Sequence, residues 1–134
     1  MENSSAGSLP PNARYWAYLR EGRFMLQRSR VTGKYVFYPR LLCPETGSSD
    51  LEFTEVDGRG TVHSTTVVRR KASAGGDYNV ALIDLDVGVR VPGRVVGIPP
   101  TEVKIGIKVK SSIEKVEFGT YAGSDQPIII FRPE

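Results

Sequence analysis

Frequent chain breakers constrain the fold of this chain more than any other feature of the sequence. The 134 residues include 14 glycines and 9 prolines, spread along the length, which disfavours a bundle of long helices. The stretches between the breakers are short, and those after Gly58 are rich in β-branched residues, as in residues 61–68. This pattern predicts a mainly β protein of about one domain.

Residue counts exclude several classes of protein. A single cysteine rules out an internal disulfide, and a single histidine rules out a His-rich metal site or a pair of catalytic imidazoles. The balance of 40% apolar and 25% charged residues is typical of a globular protein rather than a disordered one. The apolar runs are too short to cross a bilayer and residues 1–11 lack the apolar core of a signal peptide, so we expect no membrane segment and a cytoplasmic location.

Charge is unevenly distributed around the small net value of +3. Residues 11–40 contain seven basic side chains and a single acid, Glu21, whereas residues 41–57 contain five acids and no base. Two interpretations are open. The two segments neutralise each other in the folded chain, or the basic one forms a face for a polyanion or an acidic partner.

Residues 12–22 read as a short helix, with Asn12 as the N-cap and Gly22 as the stop. Tyr15, Tyr18 and Leu19 lie at i, i+3 and i+4 and form one aromatic stripe, with Trp16 beside it. Such a short helix is marginal alone, so the stripe must pack either on its own domain or on a partner.

The remaining elements read as strands. Residues 24–26, 35–38 and 51–56 form a first group, separated by tight turns. The second group has five members: residues 61–68, 78–85, 87–97, a half-buried strand that alternates from Ile105 and continues towards Phe118, and 128–131. Pro92 and Gly93 indicate an edge or a bulge, and residues 99–102 a break or one helical turn. Five strands with a break between the third and fourth match an OB barrel.

In this order the motifs resemble a known family, the zinc-ribbon/OB-fold proteins catalogued as domain of unknown function thirty-five, which are associated with acyl-CoA. The resemblance covers residues 15 to 134. The segments that carry it are 15–24, Gln27-Arg-Ser-x-x-Thr-Gly33, Tyr38-Pro-Arg-x-x-Cys-Pro-x-Thr-Gly47, 58–64, 79–90, 105–109 and 131–133. We therefore expect four parts: a flexible arm at 1–10, which contains Ser, Gly and Pro, an N-terminal helix at 11–23, a rubredoxin-like ribbon at 24–56 and an OB-fold domain at 57–134.

The ribbon departs from the family pattern of two Cys-x-x-Cys pairs, which supply four thiolates to zinc. The corresponding positions here are Ser29, Thr32, Cys43 and Thr46. Hydroxyls are poor zinc ligands, so we expect a degenerate ribbon that keeps its shape without metal, with Ser29 and Thr32 bonding backbone amides. Packing must then replace the metal, through Phe24, Tyr35, Phe37, Leu41, Leu42 and Phe53.

The resemblance implies a non-catalytic accessory subunit of a thiolase-like enzyme in bacterial or archaeal acyl metabolism, one that helps to bind or shield acyl-CoA. Docking is then assigned to Tyr15, Trp16, Tyr18 and Leu19. Contact with a coenzyme A phosphate is assigned to Arg69, Arg70 and Lys71, which precede a Gly-rich barrel loop, although a plain solvated loop explains them equally well.

Other functions are disfavoured by the same residues. An OB module for single-stranded nucleic acid, or for another oligomeric ligand, is the alternative. The barrel aromatics that it would need for stacking are not clustered: Tyr78, Phe118, Tyr121 and Phe131. An enzyme would need a catalytic set, yet no His motif accompanies Cys43, and His63 and Ser64 are adjacent residues on a strand. Asp84 and Asp86 are better explained by turn chemistry and ion pairs to Arg90 or Arg94 than by catalysis.

Overall fold

The computed structural model describes residues 9–116 and 123–134, which form one α-helix followed by eight strands in two antiparallel sheets, with short 3-10 helices at Ala72–Ala74 and Pro100–Glu102. The expected mainly β chain with an N-terminal helix is confirmed. Most of the segment expected to be a flexible arm, residues 1–8, lies outside the described residues.

Helix α1 (Pro11–Arg20) begins one residue earlier than the sequence predicts. Pro10 occupies the N-cap position without a side-chain cap, so the prediction of Asn12 as the cap is wrong. Proline is suited to the first turn, because its fixed φ fits the helix and its missing N–H would have no partner there. The stop at Gly22 is confirmed, with a φ of 76° and its N–H donating to the Leu19 carbonyl at 3.0 Å.

The smaller sheet has the order β2-β1-β3, and its members are β1 (Met25–Ser29), β2 (Tyr35–Val36) and β3 (Leu51–Glu55). Ion pairs join the basic segment of the sequence to the acidic one across this sheet and its loops. They are Arg23 with Glu55, Arg30 with Asp50 and Glu52, and Lys34 with Glu45, at N···O distances of 3.4 to 3.8 Å. These ion pairs use three of the seven basic side chains, and they support the interpretation that the two segments neutralise each other.

The larger sheet has the order β6-β5-β4-β7-β8, and it closes on itself. Its members are β4 (Arg59–Val68), β5 (Tyr78–Leu85), β6 (Arg90–Gly93), β7 (Lys108–Glu114) and β8 (Ile128–Pro133). Closure comes from the segment after β6: Phe131 N–H donates to the Arg94 carbonyl at 2.9 Å, and Val96 N–H donates to the Phe131 carbonyl at 2.8 Å. The expected five-stranded OB barrel is confirmed.

Two barrel strands are shorter than the sequence predicts. The third covers Arg90–Gly93 rather than residues 87–97, because residues 85–89 form a turn in which Gly88 N–H donates to the Leu85 carbonyl at 2.9 Å. The fourth begins at Lys108, since Gly106 has a φ of 94° and Ile105 is 70% exposed in the preceding turn. Its described part ends at Glu114, and the expected continuation to Phe118 runs into residues 117–122, which lie outside the described residues.

The larger of the two hydrophobic clusters found among the described residues joins helix, ribbon and barrel. Its buried side chains include Leu19 of the helix, Leu26 of the ribbon and Ile83 and Phe131 of the barrel. Among the residues expected to hold the ribbon together, Phe24 is buried and Tyr35, Phe37 and Phe53 pack partly buried against this core. Leu41 and Leu42 do not contribute, because they are 74% and 54% exposed.

Candidate functional site

The first knuckle of the ribbon is built around the Ser29 side chain. Ser29 is only 1% exposed, and its Oγ accepts hydrogen bonds from the backbone N–H groups of Val31 at 3.2 Å and Thr32 at 3.1 Å. The turn closes where Gly33 N–H donates to the Ser29 carbonyl at 2.8 Å. The Thr32 hydroxyl in turn accepts a hydrogen bond from Lys34 N–H at 3.2 Å. The prediction that these two hydroxyls serve backbone amides is confirmed.

The second knuckle repeats the arrangement around the buried Cys43. Gly47 N–H donates to the Cys43 carbonyl at 2.8 Å, as Gly33 does to Ser29. The pKa of the Cys43 thiol is lowered, first by a hydrogen bond from the Thr46 hydroxyl, then by the backbone N–H groups of Thr46 and Glu45, with a smaller contribution from Ser29. Burial opposes the shift. The thiol and two of the three hydroxyls of the degenerate site therefore meet in space.

The residues at the two knuckles do not fit a structural zinc ion. Tetrahedral sites use thiolate, imidazole or carboxylate ligands, whereas here one thiol faces hydroxyls that already accept backbone N–H bonds. Within residues 9–116 and 123–134, no group of three or more His, Cys, Asp or Glu side chains could hold a metal ion. A ribbon without zinc stays our prediction.

The helix places most of the expected docking residues in the protein's own core. Tyr15, Tyr18 and Leu19 are buried in the described chain, because the helix packs this face on the ribbon and on the barrel. Trp16 is partly buried, and its ring meets the Tyr15 ring edge-on with centroids 5.2 Å apart. The burial argues against the use of the first three for docking, and Trp16 is retained as the docking candidate.

The basic residues before the Gly-rich loop have different roles. Arg69 forms an ion pair with Asp77 at 2.7 Å, and Arg70 N–H donates to the same carboxylate at 2.9 Å. These two hydrogen bonds, that of Arg70 first, lower the pKa of Asp77 and fasten the two ends of the loop. Arg69 thus stabilises the loop through its ion pair with Asp77, whereas Lys71 is exposed to solvent.

The Tyr78 ring on the outer face of the barrel is covered by cations. The guanidinium carbon of Arg94 lies 4.1 Å from the ring centroid, and that of Arg70 lies 5.6 Å away. Of the other barrel aromatics, Phe131 is fully buried, and Phe118 and Tyr121 lie outside the described residues. The described barrel therefore offers no row of free aromatic rings for stacking nucleobases.

Asp84, near the end of β5, and Asp86, in the turn after it, do not form a pair. Asp84 bonds the Arg90 guanidinium at 2.6 Å, and its second carboxylate oxygen lies 3.4 Å from His63 Nδ1. The expected ion pair with Arg90 is confirmed, whereas Arg94 stacks on Tyr78 instead. Asp86 is exposed in the turn. The single histidine is thus placed beside Asp84, whereas the groups that lower the pKa of Cys43 belong to Thr46, Glu45 and Ser29 of the ribbon.

A cavity of about 290 Å³ lies where helix, ribbon and barrel meet. Tyr15 and Trp16 line it from the helix, Tyr38 and Pro39 from the segment after β2, and residues of β6 and β8 from the barrel. The segment after β2 is held by Gln27, a buried residue of β1 whose amide bonds both the N–H and the carbonyl of Arg40 at 2.6 Å. The sequence did not reveal this cavity, because its walls come from three separate elements.

Within the described residues, no helix is long and apolar enough to span a membrane.

Comparisons with known proteins agree with this architecture. The family model for the rubredoxin-like zinc ribbon domain of ChsH2 matches residues 16–52, and that for the C-terminal OB-fold domain of ChsH2 matches residues 53–114. The solved structure of the Ltp2-ChsH2(DUF35) aldolase includes a similar chain, with a TM-score of 0.77 and 29% identity. The match covers 92% of this chain and 94% of that chain.

Curated relatives are also similar in sequence. A DUF35 domain-containing scaffold protein of Pyrococcus furiosus is 30% identical over 107 residues, which are 78% of this chain and 79% of the relative. A probable enoyl-CoA hydratase alpha subunit of Thermomonospora curvata is 31% identical over 100 residues, which are 73% of this chain but only 31% of that relative. The chain belongs to the DUF35 family of ChsH2-like proteins, in which a zinc-ribbon segment is followed by an OB-fold domain.

Proposed function

We propose that this chain is a non-catalytic accessory subunit that assembles with a thiolase-like enzyme and helps to bind or shield acyl-CoA. The observation that carries the proposal is the structural likeness to a chain of the Ltp2-ChsH2(DUF35) aldolase over 92% of the length. Relatives called scaffold proteins support the accessory role, and the relative called an enoyl-CoA hydratase subunit supports the link to acyl-CoA.

The described side chains are consistent with a subunit that does not catalyse. A nucleophile needs a base within hydrogen-bond reach, but the described partners of Cys43 are Thr46, Glu45 and Ser29. The histidine is engaged with Asp84 and Arg90 on the barrel. Cys43 and His63, the candidate nucleophile and base, thus interact with different residues and not with each other.

Docking is proposed at the part-exposed edge of the helix around Trp16. Tryptophan is enriched among residues that dominate binding energy at interfaces, because it buries a large apolar area. We expect Trp16→Ala to reduce capture of a thiolase-like enzyme from the native cell at least about tenfold, the size of a typical hot-spot loss. Mass spectrometry of the affinity-purified material identifies and quantifies the captured enzyme.

The matched control for this experiment is Ile105→Ala, which also truncates an exposed apolar side chain, but in a loop of the barrel. Capture by this variant should equal that of the wild type. Two results would contradict the proposal: an unchanged yield with Trp16→Ala, or the wild type enriching an enzyme unrelated to thiolases.

The proposed contact with a coenzyme A phosphate is narrowed to Arg70 and Lys71, since Arg69 is neutralised by Asp77. Exchanging both residues for Gln should weaken coenzyme A binding to the purified complex about five- to fiftyfold, as expected for the loss of charge-assisted contacts. Isothermal titration calorimetry measures this, with Lys104→Gln as the exposed control in another loop. Equal affinities for the wild type and the double variant would remove the assignment.

A further inference from the structure

The cavity between helix, ribbon and barrel has the properties of a ligand site. We propose that it binds a neutral, ring-sized organic molecule that carries one hydroxyl or carbonyl oxygen. The proposal stands independently of the accessory role, since it rests on the walls of the cavity alone.

The size of the cavity is sufficient for such a molecule. Its volume is about 290 Å³, close to the lower end of the range of about 300 to 1,000 Å³ seen for small-molecule sites. An engineered apolar cavity of about 150 Å³ in another protein holds benzene. A substituted single ring therefore fits here with room for its polar group.

The walls are mostly apolar, and the described lining contains no charged side chain. Phe24, Phe37 and Val91 are among the apolar members, with Ile128 and Ile129 from the last strand. An ion entering this space would lose hydration without gaining a counter-charge, which is costly. The lining therefore selects a neutral ligand.

The cavity also contains polar groups that can fix the orientation of a ligand. Tyr15 is only 7% exposed, and none of the hydrogen bonds found among the described residues uses its hydroxyl. Burial, and next the neighbouring Tyr38, raise the pKa of Tyr15, so the hydroxyl stays protonated and able to donate. Tyr15 lines the cavity, so the oxygen of a bound ligand can accept the hydrogen bond of its hydroxyl in place of water.

The aromatic walls are held in place by mutual contacts. The Tyr15 ring meets Phe37 edge-on with centroids 5.7 Å apart, and Phe37 lies 4.5 Å from Tyr38. The hydrogen bonds of Gln27 to the Arg40 backbone fasten the segment that carries Tyr38 and Pro39. The site is thus preorganised, which lowers the entropic cost of binding.

The chain carries its own probe for occupancy, because Trp16 lines the cavity and is the single tryptophan of the sequence. Titration with 4-bromophenol should quench Trp16 fluorescence to saturation, through contact with the heavy bromine atom. Bromobenzene lacks the oxygen and should bind about three- to tenfold more weakly, the loss expected for one hydrogen bond. The anion 4-bromobenzoate should bind at least about tenfold more weakly than 4-bromophenol.

Tyr15→Phe tests the assigned hydrogen bond without changing the volume of the cavity. It should lower the affinity for 4-bromophenol about three- to tenfold and leave that for bromobenzene unchanged. Tyr35→Phe is the matched control, because this partly buried tyrosine packs on the same core outside the cavity lining and should bind all probes as the wild type does. Ile129→Phe fills the cavity and should abolish saturable quenching by every probe.

Three results would overturn the proposal: quenching that rises linearly without saturation, 4-bromobenzoate binding as tightly as 4-bromophenol, or a preference for the phenol that survives Tyr15→Phe. If Ile129→Phe does not fold, the proposal is tested by the affinities of the three probes for the wild type and for Tyr15→Phe alone.

Discussion

Asp84 shows at the scale of one residue how the outer face of the barrel responds to pH. The hydrogen bond from Arg90 holds the pKa of this carboxyl below its ordinary value of 3.8, opposed by burial and aided by the charges of Arg90 and His63. The folded state therefore binds the proton less readily than the unfolded state. The resulting stability is present above the ordinary pKa and is lost as the pH falls below 3.8 towards the lowered value.

We expect Asp84→Asn to lower the urea midpoint at pH 7, and the difference from the wild type to become smaller as the pH is reduced to 3. The effect should be small, because the Asp84 and Arg90 side chains are 45% and 50% exposed. Asp86→Asn, in the adjacent exposed turn, is the control and should track the wild type. A gap that stays constant between pH 7 and 3 would show that Asp84 contributes through something other than its charge.

Ser29 shows which residue-scale features can be predicted from sequence. Its place in a knuckle and its hydrogen bonds to backbone amides follow from residue type and spacing, because the turn presents those N–H groups whatever atom stands at the first position. The approach of its hydroxyl to the Cys43 thiol depends on two turns that are separate in the sequence, one between β1 and β2 and the other between β2 and β3. The resemblance to a family implied that convergence, whereas the local sequence did not.

At the scale of elements, the ribbon combines the turns of a zinc ribbon with a residue set of one cysteine and three hydroxyls. The two knuckles keep equivalent hydrogen bonds, from Gly33 to Ser29 and from Gly47 to Cys43. We expect the native chain to contain no zinc, and the triple variant Ser29→Cys, Thr32→Cys, Thr46→Cys to bind one zinc ion per chain. Elemental analysis of protein purified with zinc present measures the content, and the thermal midpoint of the triple variant should fall when a chelator is added.

Changing Cys43 to Ser in the triple variant is the control, since it removes one of the four thiolates and should lower the affinity for zinc. One zinc ion per native chain would refute the prediction of a metal-free ribbon. A triple variant that folds but takes up no zinc would show that the four positions do not converge on one point.

The boundaries of elements were predicted less well than their existence. All eight strands were expected, but Ile105 and residues 87–89 were assigned to strands and lie in turns. Alternation of apolar and polar residues continues past the end of a strand, whereas Gly88 and Gly106, with positive φ, mark where pairing stops. The helix shows the related limit: periodicity identified the stripe of Tyr15, Tyr18 and Leu19, but not that the chain's own ribbon and barrel cover it.

At the scale of the whole molecule, the shared core makes helix, ribbon and barrel interdependent. Leu19 is 1% exposed and belongs to the same buried cluster as Leu26 of the ribbon and Ile83 and Phe131 of the barrel. The core and the cavity beside it were not predictable from local pattern, because their members are far apart in sequence. Neither the ribbon nor the helix can leave its position without exposing apolar surface of the barrel.

This arrangement predicts one cooperative unfolding transition. Leu19→Ala should lower the free energy of unfolding by about 2 to 5 kcal/mol, the range for deleting a buried leucine side chain. Leu41→Ala makes the same chemical change at a side chain that is 74% exposed, so it should stay within about 0.5 kcal/mol of the wild type.

Urea unfolding should be followed by Trp16 fluorescence, which reports on the helix, and by far-ultraviolet circular dichroism, which reports mainly on the strands. The two probes should give coincident transitions in the wild type and in Leu19→Ala. If instead the fluorescence changes at a lower urea concentration than the dichroism, the helix detaches before the barrel unfolds, and a shared core does not hold the molecule together.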